Sequence, residues 1–107
     1  MLRNGSYSAW YRTRLREGTG IIVLNDGKIT GGDASLAYTG TYFQNGDEFS
    51  AVITTWREAP GLPSIFGIDN IDLTLTGTSA PTTASCTGTV KQAPGLPFEA
   101  TLIRVAD

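Results

Sequence analysis

The sequence predicts an all-β fold, one small eight-stranded antiparallel β-barrel of the up-and-down type. Three observations carry this. Short segments of period-2 alternation recur along all 107 residues, with almost no helical periodicity. Turn signals separate them, above all Asp26-Gly27 and Asn45-Gly46, which pair consecutive strands antiparallel. Eight strands in an open sheet would leave two exposed edges, and closure removes them. A two-sheet sandwich is the runner-up.

The first strand spans Arg3 to Thr13, with Tyr7, Ala9 and Tyr11 on one face and Ser6, Ser8 and Trp10 on the other. Both faces carry an aromatic, so alternation does not decide which points inward. Arg12 to Glu17 reads as a charged loop. The second strand, Gly18 to Leu24, contains the apolar run Ile21-Ile22-Val23-Leu24. Such a run implies burial on both faces, or one face in the core and one at an interface. Ile21 and Val23 are the candidate residues for that interface, between two copies of the chain. Asp26-Gly27 suits a type I′ turn. Lys28 to Thr30 returns, and Gly31-Gly32 permits a bend or bulge.

Leu36 to Gln44 is the fourth strand, and Asn45-Gly46 turns into Glu48 to Arg57. There Phe49, Ala51 and Ile53 share a face opposite Val52 and Trp56. The pentapeptide Ala-Pro-Gly-Leu-Pro occurs at 59–63 and again at 93–97, and reads as two type II turns with Pro at i+1 and Gly at i+2. Pro63 to Gly67 is the one place for a turn of helix. Ile71, Leu73 and Leu75, then Ala84, Cys86, Gly88 and Val90, then Phe98, Ala100 and Leu102 mark the last three inward faces. Ile103 and Val105 have the opposite parity.

The length suits a single domain, 1–107. Lys and Arg total 8 against 10 Asp and Glu, which gives a net charge of −2. That balance provides no basic face for direct nucleic-acid binding and leaves a basic protein partner open. Histidine is absent, which removes the commonest general base and metal ligand. The one cysteine makes no internal disulfide or thiolate cluster, and Cys86 reads as buried and inert. No cofactor or metal is expected. No apolar run approaches the about 18 residues of a helical membrane span, nor does the start contain a secretory apolar region, so the protein is read as cytoplasmic.

Catalytic constellations are weak. Gly18-Thr19-Gly20 precedes a strand and not a helix, so the phosphate-cradling geometry is missing. A Ser-centred triad lacks both its histidine and a Gly-x-Ser-x-Gly elbow. Among the carboxylates, Asp26 belongs to a turn, Asp47 follows one, and Asp69 and Asp72 differ in parity. Asp33 and Glu48 complete the set. None forms a calcium-loop pattern. The expectation is a protein that is not an enzyme.

Several segments carry a family resemblance: Asn4-Gly5-Ser6-Tyr7-Ser8, Gly18-x-Gly20-Ile21, Asp26-Gly27-Lys28-Ile29-Thr30-Gly31-Gly32-Asp33, and Tyr38-x-Gly40. In these the chain resembles the GrlR family, small negative regulators of bacterial type III secretion genes. The resemblance implies a lipocalin-like barrel, a homodimer, no enzymatic activity and a protein partner, a transcriptional activator held inactive by binding. In that family an acidic Glu-Asp-Glu-Asp motif in the loop after the fourth strand is tied to the binding. The matching loop here reads Gln44-Asn45-Gly46-Asp47-Glu48, so Asp47 and Glu48 are the partner-binding candidates, with half the family's local charge. The alternative function is a carrier of a small apolar ligand, for which Ala37, Gly40, Ala84 and Gly88, read as inward, leave room.

Overall fold

Alternating apolar residues force each strand to turn one face away from water, and eight such strands satisfy this by wrapping around a shared interior. A computed structural model of the chain describes residues 1–61 and 70–106. Among the described residues the elements are β1 (Gly5–Arg12), β2 (Glu17–Asn25), β3 (Lys28–Gly32), β4 (Leu36–Asn45), β5 (Glu48–Arg57), β6 (Ile71–Ser79), β7 (Thr83–Val90) and β8 (Ala93–Ala106). Each pairs antiparallel with the next, and β8 pairs with β1, closing the barrel in the order 1 to 8. Closure rules out the sandwich. No helix among the described residues is long and apolar enough to cross a membrane.

The interior resolves the ambiguity of β1. Tyr7 and Ala9 are buried and Tyr11 packs against the core, whereas Trp10 is on the outside, 41% exposed. In β2 the apolar run divides by parity: Ile22 and Leu24 enter the core, and Ile21 and Val23 face outward in the single chain. Ala37, read as inward, pairs with the outward Trp56, because Leu36 and Tyr38 take the inward parity of β4.

The turns confirm one signal and correct others. Asp26 and Gly27, at φ 49° and 85°, form the loop between Asn25 and Lys28, as a type I′ turn requires. In the next hairpin Asn45 pairs with Glu48, so the loop residues are Gly46 and Asp47, not Asn45 and Gly46. Gly46 has φ 62° and Asp47 does not follow it to positive φ, the pattern of a type II′ turn. This register sets Tyr42 opposite Ala51 and Gly40 opposite Ile53, two places where a large inward side chain faces a small one. Gly31-Gly32 continues β3 with no register shift, so there is no bulge. Residues 13–16 form a tight turn, not a loose loop: the Thr13 amide donates to the Arg16 carbonyl at 2.8 Å, and the Thr13 hydroxyl accepts from the amides of Leu15 and Arg16.

Neither Pro-Gly pair forms a type II turn, because neither Gly61 nor Gly95 takes the positive φ that i+2 demands. The second pentapeptide is instead the start of β8. Val90 pairs with Ala93 and Gly88 with Phe98, so the stretch between bulges out of the ladder, where prolines need no amide. The reversal itself falls at Lys91-Gln92. The helical turn expected at 63–67 lies outside the described residues.

One end of the barrel is solid. Tyr7, Leu24, Ile29 and Phe49 are almost fully buried there, and Tyr42 stacks on Phe49 with ring centroids 5.8 Å apart. Leu2, outside any strand, joins this core. Its amide donates to Gln44 Oε1 at 2.7 Å and its carbonyl accepts from Gln44 Nε2 at 3.0 Å. The Tyr7 hydroxyl donates to the Arg3 carbonyl at 2.6 Å. Shortening a side chain in this buried plug leaves a cavity. Leu24→Ala is therefore expected to lower the unfolding free energy by about 2–5 kcal/mol in urea titration, while the outward Val52→Ala changes it by less than about 0.5 kcal/mol. Equal losses at the two positions would contradict this assignment of inside and outside.

Candidate functional site

At the other end small residues interrupt the larger inward side chains Tyr11, Tyr38, Ile71 and Phe98. Ala9, Gly18, Gly20 and Ala100 face a cavity of about 690 Å³ whose deeper wall is Ile22, Ile53, Leu73, Leu75 and Leu102. This is within the range of pockets that enclose small organic molecules. The rim is built from the β3–β4 turn and the chain after β5, tied together by the amides of Glu58 and Ala59, which both donate to the Ser35 carbonyl.

A polar cluster interrupts the apolar lining. Tyr11 comes from β1, Tyr38 from β4 and Asp33 from the turn before β4. The Tyr38 hydroxyl donates to Asp33 Oδ2 at 2.6 Å; the Tyr11 hydroxyl lies 2.9 Å from the same oxygen and 2.6 Å from the Tyr38 hydroxyl. The Thr19 carbonyl is a further acceptor for Tyr11, at 3.3 Å. Asp33 Oδ1 accepts from the amides of Ser35 at 2.9 Å and Leu36 at 2.8 Å, an Asx-type turn that holds the carboxylate still. The tyrosine rings meet edge to face, 6.4 Å apart. Gly20 makes room for this: a Cβ there would sit 3.1 Å from the Tyr38 hydroxyl and 3.0 Å from the Gly32 carbonyl oxygen.

Electrostatics keep the cluster in one ionic form. Partial burial pushes the Asp33 pKa up, but the bonds from Tyr38, the Ser35 and Leu36 amides and Tyr11 together outweigh it and hold the carboxyl below its ordinary value. Burial, followed by the bond to Asp33, raises Tyr38. Burial also raises Tyr11, with Asp33 adding to the rise against a lowering contribution from Tyr38. Both phenols are therefore neutral and Asp33 is ionised at pH 7. Among the described residues Glu17 is the other carboxylate on the lining, and none of the lining is lysine or arginine.

The residues singled out from the sequence lie elsewhere. Asp47 and Glu48 are exposed at the tip of the β4–β5 hairpin, at the plugged end. The Asp47 carbonyl accepts from the Ser79 amide at 2.7 Å, so the backbone of the tip is fixed while its carboxylates face solvent. Ile21 and Val23 occupy the outer face, 48% and 38% exposed. Cys86 is buried, as expected, and burial pushes its thiol up to about 11. Asp26 bonds to Asn4, and Asp72 accepts from Thr54 and Gln92 on the outer surface. Asp69 lies outside the described residues. Among the described residues no group of acidic residues and cysteine is placed to hold a metal.

Sequence reading missed the joining of Tyr11, Asp33 and Tyr38. The available signal was Asp33-Ala34-Ser35, an Asx-turn pattern directly before a strand whose inward parity carries Tyr38. No family model matches the chain, and no curated protein matches it.

Asp33 also makes stability depend on pH. Its folded-state pKa lies below the unfolded value of about 3.9, so its contribution is complete above that value and is lost as pH falls through the lowered one. Asp33→Asn is expected to cost about 1–3 kcal/mol at pH 7 and to flatten the decline in stability below about pH 4. Urea unfolding of both proteins from pH 7 to pH 2.5 checks this; parallel curves would refute it.

Proposed function

We propose that the protein binds a small apolar molecule inside the barrel. The observation that carries this reading is the cavity of about 690 Å³, walled by aliphatic side chains and bearing one polar cluster. Unfilled apolar volume costs packing energy, and a folded chain with a solid plug at one end retains it at the other. An apolar wall with a few convergent polar groups is the usual composition of a ligand site.

A second reading rests on the outer surface. Ile103 and Ile21 flank Ser8 on the adjoining strands β8, β1 and β2, and Val105 and Val23 continue the apolar stripe. The occupant named by this reading is a second copy. The stripe contains no charge, so it meets its own copy without repulsion, as an isologous interface requires. In the same reading the exposed Asp47–Glu48 tip presents two carboxylates to a basic protein partner. The resemblance to GrlR-like proteins makes a transcriptional regulator the class of that partner, and the sequence reading makes the cytoplasm the setting.

Both readings have direct tests. The apolar fluorophore N-phenyl-1-naphthylamine is expected to brighten on binding the protein, and Ala100→Leu, which extends into the cavity, to weaken it by about tenfold or more. The exposed Trp10 and Trp56 do not line the cavity, which makes an external fluorophore the better reporter. Equal affinity in the two proteins would remove the cavity reading. For the second reading, light scattering is expected to give twice the 11.4 kDa chain mass, falling to one chain mass in Ile21→Glu/Val23→Glu. Asp47→Ala/Glu48→Ala is expected to lose a partner recovered by the parent protein from lysate. Unchanged mass and unchanged partners would end that reading.

A further inference from the structure

We infer that the cavity selects an apolar molecule whose single polar end donates hydrogen bonds, with an amine cation preferred and a carboxylate rejected. This rests on the cavity being a ligand site and adds the chemistry of the head group.

The argument is a count of protons. Tyr11, Tyr38 and Asp33 Oδ2 form a triangle of oxygens with edges of 2.6, 2.6 and 2.9 Å. Every edge is short enough for a hydrogen bond, so a closed triangle needs three protons. The two phenols supply two, and ionised Asp33 supplies none. Asp33 Oδ1 is occupied by two backbone amides and offers no relief. The Tyr11 hydroxyl must also choose among Tyr38, Asp33 and the Thr19 carbonyl with its one proton. One edge therefore brings lone pairs together, and the cluster is rich in acceptors and short of donors.

A ligand that donates a hydrogen bond to one of these oxygens fills an acceptor lone pair that the cluster's own two protons leave unused. An ammonium group brings several protons and a positive charge, and charge-assisted bonds are the stronger kind. A hydroxyl or amide N–H brings one proton without charge. A carboxylate brings none at pH 7, and adds a third negative charge to a lining that already holds Asp33 and Glu17 and, among its described residues, no cation. The apolar chain of the ligand lies along Ile22, Leu73, Leu75 and Leu102, away from the cluster.

The test is a matched series, decylamine, decanol and decanoate, titrated at pH 7 below their aggregation concentrations. Amide NMR shifts of Gly18, Gly20 and Gly32 report binding in the cavity itself. The expected order is amine, then alcohol, then acid, with amine over acid by at least about tenfold. Asp33→Asn removes the charge and supplies the missing donor, so this ratio is expected to collapse to near one. Tyr11→Phe removes one corner of the triangle, keeps Asp33 ionised and tests the point if the Asn variant does not fold; the ratio is expected to fall severalfold. No cavity shifts with any of the three compounds would overturn the ligand-site reading itself. Cavity shifts with decanoate binding as well as decylamine would overturn the selectivity alone. So would an amine preference that both variants retain, since it would then reflect only the overall negative charge.

Discussion

Closure between β8 and β1 is the constraint on which the rest of this structure depends. Once Ser8 lies between Ile21 and Ile103, no strand has a free edge, and strand number sets the interior width. The interior of a barrel of this size is a fixed volume, and side chains decide how much of it is filled. Toward the Asp26-Gly27 and Gly46-Asp47 turns, Tyr7, Leu24, Ile29 and Phe49 fill it, and Leu2 seals it through the side chain of Gln44. Toward the opposite end the same inward parity delivers Ala9, Gly18, Gly20 and Ala100, and the volume stays open. The cavity thus follows from small residues at these inward positions, and the β3–β4 turn and the chain after β5 form its rim.

Asp33 links this architecture to chemistry. Its backbone ends one hairpin, its Oδ1 fixes the turn, and its Oδ2 draws in tyrosines from β1 and β4. A carboxylate on an apolar wall is unfavourable alone, and the bonds it accepts outweigh that burial and hold its pKa below the ordinary value. The same bonds that stabilise the turn therefore give the cavity its polarity. The donors satisfy the carboxylate while leaving the phenol oxygens with lone pairs unused.

Inside and outside are separated by parity along single strands. In β2, Ile22 and Leu24 build the core while Ile21 and Val23 lie on the outer face. The two surfaces have distinct physical characters, one concave with a fixed charge and one gently convex, apolar and uncharged. They support separate readings, ligand binding within and self-association without. The acidic tip at Asp47 and Glu48 stands apart from both, on the plugged end.

Strand count, order and most inward faces were legible in the sequence, because period-2 alternation and the Asp26-Gly27 turn are local signals. Ile71, Leu73 and Leu75 needed no tertiary information to be placed inside. Where two local arrangements were equally compatible, the sequence could not choose. The face of β1, the Gly46-Asp47 loop and the Pro-Gly stretch opening β8 were all settled by packing against neighbouring strands: Tyr42 and Ile53 face Ala51 and Gly40, and the prolines fall where no amide is needed. The polar cluster was illegible for a different reason. Tyr11, Asp33 and Tyr38 meet only because the barrel wraps β1 around to β4 at one height, and neither spacing nor composition encodes a shared height. The sequence by itself determined a β-barrel with an apolar interior; the closed tertiary structure alone decided that side chains leave part of that interior unfilled and that an ionised carboxylate faces it.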